Sequence, residues 1–299
     1  MRFNKLNLML LGIVLAFNAC SETLEPRDDV FDSTLESIAT IDDDLTLLKD
    51  SGESIDDAAA VFSLGWKQFI DSESEEATVS GHAHAVYFDE ENVVEFRGRT
   101  ISTGQDMGEM KLVFDGQSLD IPKREARRGG VVYSLFRHRR GDGAGSELPF
   151  VPGATYSFQV SGAGDFEATS IDAVAPAGLM EITSHETGEA LDLSGDLNIS
   201  WTGGTAESVI VRVVAFSSRR TGDRPMRHQR PESVMAEVTT NSGSHTIAAA
   251  DLASLATNLE SGSGIAIMIS QINSTDFTHN TGILRTLVRN GDRVRLVVQ

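Results

Sequence analysis

Pro152-Gly153-Ala154-Thr155-Tyr156-Ser157-Phe158-Gln159-Val160 is the stretch on which the fold of this 299-residue chain turns. Pro-Gly marks a turn. The residues after it alternate, with Tyr156, Phe158 and Val160 on one side and Ser157 and Gln159 on the other. Successive side chains of a strand point to opposite faces, so this pattern describes a strand with one buried face. A second stretch, Asp196-Leu197-Asn198-Ile199-Ser200-Trp201-Thr202-Gly203-Gly204, repeats the pattern with Leu197, Ile199 and Trp201 on a shared face. Trp201 is therefore expected in a core and not on the surface as a platform for sugars.

Working outward from the first stretch, short strand-like runs cover residues 59–174: Ala77–Phe88, Val93–Thr100, Glu109–Phe114, Gly130–His138, Thr155–Val160 and Phe166–Ile171. Turn signals separate them at Asp89-Glu90-Glu91-Asn92, Asp115-Gly116, Gly141-Asp142-Gly143 and Gly162-Ala163-Gly164. The junction Ala173-Val174-Ala175-Pro176-Ala177-Gly178 then opens a second unit over 175–299. Its expected strands are Leu179–Thr183, the segment around Trp201, Ser208–Phe216, Ser233–Thr240, Ser244–Ala248, Ile265–Gln271 and Val294–Val298, with one short helix at Ala249–Leu259. Many short strands, few helices and glycine-rich turns give an all-β chain of two tandem sandwiches.

The segment around Tyr156 resembles the Gly-x-x-Tyr-x-Phe-x-Val strand of fibronectin type III and related immunoglobulin-like sandwiches. The Leu-x-Ile-x-Trp run ending at Trp201 is similar to an early strand of the same superfamily. The resemblance implies that the Tyr156 hydroxyl bonds back to the backbone at a corner between sheets. It is a likeness of fold and carries no ligand with it.

The N-terminus supplies an address. Arg2 and Lys5 precede an apolar run from Leu6 to Phe17, too short to span a bilayer, and Asn18-Ala19-Cys20 follows. This resembles a bacterial lipoprotein signal, 1–19, cut before a cysteine that becomes the lipidated first residue. Cys20 is the only cysteine in the chain. Cleavage would leave 280 residues and lower the formal charge from −19 to −21 by removing Arg2 and Lys5. Residues 20–58 then read as an acidic stalk. Within it Phe31, Leu35, Ile38, Ile41, Leu45 and Leu48 recur at helical spacing, and Ser33 with Glu36 forms a capping box.

Charge limits the partners. A chain this acidic is a poor ligand for nucleic acid, whose affinity comes from cationic side chains displacing counterions. Basic residues nevertheless gather in two islands. Lys123, Arg124, Arg127, Arg128, Arg137, His138, Arg139 and Arg140 form one; Arg212, Arg219, Arg220, Arg224, Arg227, His228 and Arg230 form the other. Either suits an anionic lipid, an anionic glycan or the chain's own acidic arm, although solvated loops account for both.

Catalytic chemistry leaves no recognisable trace. His82 and His84 project from one face of a strand and offer two imidazoles, but a metal site needs a third or fourth ligand, and although Asp89, Glu90 and Glu91 are near in sequence nothing fixes their direction; ordinary surface or rim histidines explain the pair. Ser261-Gly262-Ser263-Gly264 is not a nucleophile elbow and reads as a turn. Arg140-Gly141-Asp142 resembles an integrin-binding tripeptide of a kind that chance produces easily. No cofactor, metal or catalytic residue is assigned.

The expectation is a non-catalytic binding or structural protein, held at the outer membrane of a cell envelope by lipid on Cys20. Its partner would be a protein or an anionic glycan. A glycan-binding accessory lipoprotein and an envelope hydrolase are the alternatives. For the former, Trp66, Tyr87 and Tyr133 are the remaining aromatic platforms.

Overall fold

The computed structural model describes residues 58–70, 77–96, 99–125, 130–135, 148–216, 231–255, 259 and 263–299. Cys20, the signal, the stalk helix, the Arg140-Gly141-Asp142 tripeptide and most of both basic islands lie outside these residues.

The chain is all-β. Among the described residues there are seventeen strands and one short helix, α1 (Ala249–Leu255). A ten-stranded sheet runs β14 (Pro231–Thr240), β13 (Ser208–Phe216), β16 (Gly264–His279), β17 (Gly282–Val298), β1 (Ala58–Ile70), β2 (Ala77–Phe96), β7 (Val131–Leu135), β6 (Lys123–Glu125). To it are added β11 (Ala190–Leu191) beside β17 and β3 (Arg99–Gln105) beside β2. Two small sheets pack on it: β5 (Gln117–Asp120), β4 (Met110–Phe114), β8 (Thr155–Val160), β9 (Thr169–Val174); and β10 (Glu181–Ile182), β12 (Leu197–Thr202), β15 (Ser244–Ile247).

Each small sheet closes a sandwich over its own core. In the first, Phe62, Leu64 and Trp66 of β1 and Ala83 and Ala85 of β2 meet Leu112, Phe114, Tyr156 and Phe158 of the small sheet. Rings dominate there: Phe62 meets Phe158 edge-on at 5.3 Å, and Phe114 stacks on Tyr156 at 4.6 Å. In the second, Ile199 and Trp201 of β12 meet Val209, Val211 and Val213 of β13 and Ile265, Ile267 and Ile269 of β16.

The large sheet runs across the 174/175 junction. β17 gives Leu284 and Val288 to the first core and Val294, Leu296 and Val298 to the second. Its partner β1 lies parallel to it, from Ala58 opposite Ile283 to Gln68 opposite Asp292. The linker is bound to the same strand by side chains. Asn290 accepts from the Met180 N–H (3.1 Å) and donates to the Gly178 carbonyl (2.9 Å), while Asp292 accepts from the Ile182 N–H (2.8 Å).

Both signature residues occupy the expected places. The Tyr156 hydroxyl donates to the Pro149 carbonyl (2.6 Å) and accepts from the Val151 N–H (3.0 Å), which fixes the chain where it enters β8. Trp201 is buried in the second core, with its indole N–H donating to Asn241 Oδ1 (2.9 Å). Asp115-Gly116 closes the β4–β5 hairpin with φ of 45° and 72°, the positive-φ pair that a tight two-residue hairpin requires. The Asp196 carboxylate caps α1 by accepting from the Ala249 N–H (2.8 Å).

Several expected elements differ. Asp89–Asn92 is not a turn, because β2 continues through it with a register slip against β3 between Phe88 and Val93. The expected Val93–Thr100 strand is thus the end of β2 and the start of β3. The expected Phe166–Ile171 strand is shifted to Thr169–Val174, since Phe166 forms an isolated bridge with Ala163 across the tight glycine turn. Ile265–Gln271 and Val294–Val298 are parts of one long hairpin, β16–β17, whose polar middle conceals it from an apolar pattern search. β1, unassigned from sequence, is a central strand.

Candidate functional site

Because strands alternate, the large sheet has a second face turned away from both cores. Phe62, Leu64 and Trp66 point into the first core, which leaves Val61, Ser63, Gly65 and Lys67 of β1 on the other side. The pairing register carries this outer face across the sheet. His84 lies opposite Ser63 and His82 opposite Gly65 on β2, Ser134 lies opposite His84 on β7, and Arg124 lies opposite Val132 on β6. On the other flank, Arg285, Leu287, Arg289 and Arg293 of β17 and Ser270 and Ile272 of β16 project the same way, with Ile210 and Arg212 of β13 beyond them.

This face is largely buried. Val61, Ile210, Ile272 and Leu287 form an apolar cluster with Ala58, and Phe88 packs against it. Beside that cluster, along with Val86 and Val132, lie buried polar residues: Ser63, His84, Ser134, Ser270, Arg285 and Arg289. The two imidazoles lie 5.3 Å apart, and the His82 ring covers Gly65 so closely that a Cβ there would sit 2.2 Å from ring carbon Cε1. Glycine at 65 is what lets the ring lie flat on β1.

Burial sets the charge state of both histidines. Desolvation is the main cause at each. It lowers His84 to about 4, helped by Arg124, and takes His82 well below the ordinary imidazole range, helped by His84, Lys67 and Arg289. Both rings are thus neutral at pH 7. The sequence placed them correctly on one face, but His84 is an interior residue and not a surface one, and His82 is half-buried. Among the described residues no group of three or more His, Cys, Asp or Glu side chains is placed to hold a metal ion.

The arginines are the feature that sequence reading missed. Arg285, Arg289 and Arg293 recur at every fourth residue of β17, so all three share a face. Asp276 holds Arg285 through two bonds of 2.7 and 2.8 Å, and that guanidinium keeps the carboxylate below its usual range. Arg289 reaches Ser270 Oγ at 3.4 Å. Burial, with Arg295 nearby, lowers Arg293 to about 10. Arg124 and Arg212, one from each basic island, reach the same face, whereas Lys123 turns away to Asp106 at 2.9 Å.

Lys123 belongs to a second polar cluster at the edge of the first sandwich. Asp106 Oδ1 accepts from the Tyr133 hydroxyl (2.7 Å) and the Gly108 N–H (2.8 Å), and Oδ2 accepts from Lys123. The Tyr133 oxygen also accepts from the Met107 N–H (2.9 Å). Lys123 is the largest cause of lowering Asp106 to about 2, and burial beside that carboxylate raises Tyr133. Every partner in this cluster is another part of the same corner, so it fastens the β3–β4 connection as Tyr156 fastens the entry to β8.

The aromatic platforms expected for sugar do not survive as such. Trp66 and Tyr133 are fully buried, and Tyr87 is half-buried against Phe166 at 5.1 Å. With Tyr156 and Trp201 these are all the tryptophans and tyrosines of the chain, and none stands exposed.

No protein-family model and no curated protein matches the chain. Solved structures that resemble it include the tandem Ig repeats of Dlar, at 10% identity and a TM-score of 0.20 over 73% of this chain and 89% of that one. The two tandem V-type regions of VCBP3, a v-region-containing chitin binding protein, match at 10% identity and a TM-score of 0.22 over 83% of this chain and 89% of that one. At such scores the sandwich assignment rests on this chain's own sheets and cores.

Proposed function

We propose that the chain is a non-catalytic binding or structural module of a bacterial cell envelope, anchored to the outer membrane by lipid on Cys20. One observation supports the non-catalytic part: among the described residues, several side chains with chemical potential are spent on architecture. Asp106 and Tyr133 fasten a corner, Asn290 and Asp292 clamp the linker, and His84 is desolvated and neutral. The burial of every tryptophan and all but one tyrosine weakens the sugar-binding alternative, because sugars are held largely by exposed ring faces. The anchoring part rests on the lone cysteine after an apolar run. One sheet shared by two sandwiches makes a stiff body, suited to holding a surface at a distance from a membrane.

Fractionation of cells producing the Cys20→Ala variant tests the anchor. The mature protein should leave the membrane fraction or accumulate as an uncut precursor, and acyl labelling should vanish. Normal maturation with unchanged membrane retention and labelling would sink the reading.

A further inference from the structure

The outer face of the large sheet poses a specific question. His84 is 2% exposed, Leu287 1% and Ile210 1%, yet both small sheets pack on the opposite side of the large sheet, so neither sandwich core accounts for their burial. The face combines an apolar cluster at Val61, Ile210, Ile272 and Leu287 with a band of Arg212, Arg285, Arg289, Arg293 and the two histidines.

We infer that this face is the docking surface of the chain's own N-terminal segment, residues 31–48. Three features of that segment fit it. Its apolar residues Phe31, Leu35, Ile38, Ile41, Leu45 and Leu48 form one helical stripe to meet the apolar cluster. Residues 31–48 carry Asp32, Glu36, Asp42, Asp43 and Asp44 and no Lys or Arg, the sign that complements an arginine-bearing face. The segment also enters at the right place, since Ala58, the first residue of β1, is itself a member of the apolar cluster.

Reach is sufficient. The nine residues 49–57 span up to about 30 Å when extended. A helix over residues 31–48 would be about 27 Å long, whereas the thirteen residues of β1 extend about 43 Å. The segments 136–147 and 217–230 are poorer occupants by their charge, because their arginines would meet arginines. Docking places carboxylates beside Arg289 and Arg293 and the stripe over Val61 and Leu287. The acidic arm is then part of the folded body and no longer a free stalk. This holds whether or not Cys20 is acylated, so the Cys20→Ala chain serves as the test protein, and failure here leaves the anchoring proposal untouched.

The experiment uses the full chain with a benzophenone amino acid at position 41, prepared as an equal mixture of unlabelled and nitrogen-15-labelled protein and irradiated. Expected are cross-links within one chain to peptides holding residues 58–67, 82–88, 268–273 or 285–293. Cross-links between labelled and unlabelled copies would assign the face to a second copy. Those, cross-links confined to the two small sheets, or no intrachain cross-link overturn the inference. As a second measurement, Ile38→Asp with Leu45→Asp should raise the rate at which diethyl pyrocarbonate modifies His82 and His84 at least tenfold, while the combined emission of Trp66 and Trp201 stays that of buried indoles. Unchanged histidine reactivity overturns it as well.

Discussion

On β1 the side chains Phe62, Leu64 and Trp66 face one way, while Val61, Ser63, Gly65 and Lys67 face the other. On β17 Leu284 and Val288 share the first direction, and Arg285, Leu287 and Arg289 the second. The inner face is held by apolar area and ring contacts, which are tolerant of pH and salt. The outer face is nearly as buried but holds neutral imidazoles, hydroxyls and guanidinium groups. Its stability depends on keeping those groups in one protonation state and on what lies over them. The same strands thus present a permanent interior on one side and a conditional one on the other.

The largest expected effect belongs to the inner face. Trp201→Ala removes a buried indole from the second core and its bond to Asn241, and it should cost roughly 3–5 kcal/mol. Denaturant unfolding measures this, and a loss under about 1 kcal/mol would contradict the packing of Trp201 against β13 and β16.

The outer face should reveal itself through pH. The folded His84 titrates near 4 and the unfolded imidazole near 6.5, so between those values the unfolded chain binds the extra proton. Stability should therefore be intact above about 6.5 and fall as pH drops towards 4, by an amount on the order of 3 kcal/mol for this one group. His84→Gln, which keeps a neutral polar side chain, should flatten that part of the stability–pH curve. Parallel curves for the two proteins would mean that His84 is not desolvated.

Tyr156→Phe is the smallest of the three and lies between the faces, at the corner that joins the sheets. The ring contacts with Phe114 and Trp66 remain, and only the bonds to Pro149 and Val151 are lost. A cost of about 1–3 kcal/mol is expected for leaving those backbone groups unpaired, measured as a shift in denaturant midpoint at unchanged slope. A change in slope would point to a rearranged corner.

Local patterns were legible wherever one buried face met turn residues. Thr155–Val160 and Ser208–Phe216 match their strands to the residue, and Asp115-Gly116 is the hairpin turn its residues announce. β1 escaped because it begins with three alanines and pairs on both sides, so its decisive neighbours are residues 283–292, over 200 positions away. The polar half of β16 escaped because Asn273, Ser274, Thr275 and Asp276 owe their strand conformation to pairing with β17 and not to apolar alternation. Of the candidate site, the shared face of His82 and His84 was readable from their spacing. Their burial, and the alignment of Arg285, Arg289 and Arg293 beside them, was not.

By itself the sequence determined an all-β chain, the tyrosine corner at Tyr156 and the core position of Trp201, because strand alternation and turn chemistry act over a few residues. It also held the lone Cys20 after an apolar run and the net charge of −19. Only the tertiary structure decided that two sandwiches share one sheet and that arginines and histidines from four strands meet on its outer face. Those facts depend on register between segments far apart in the chain, and register is set by the whole set of strands packing together, which no local pattern encodes.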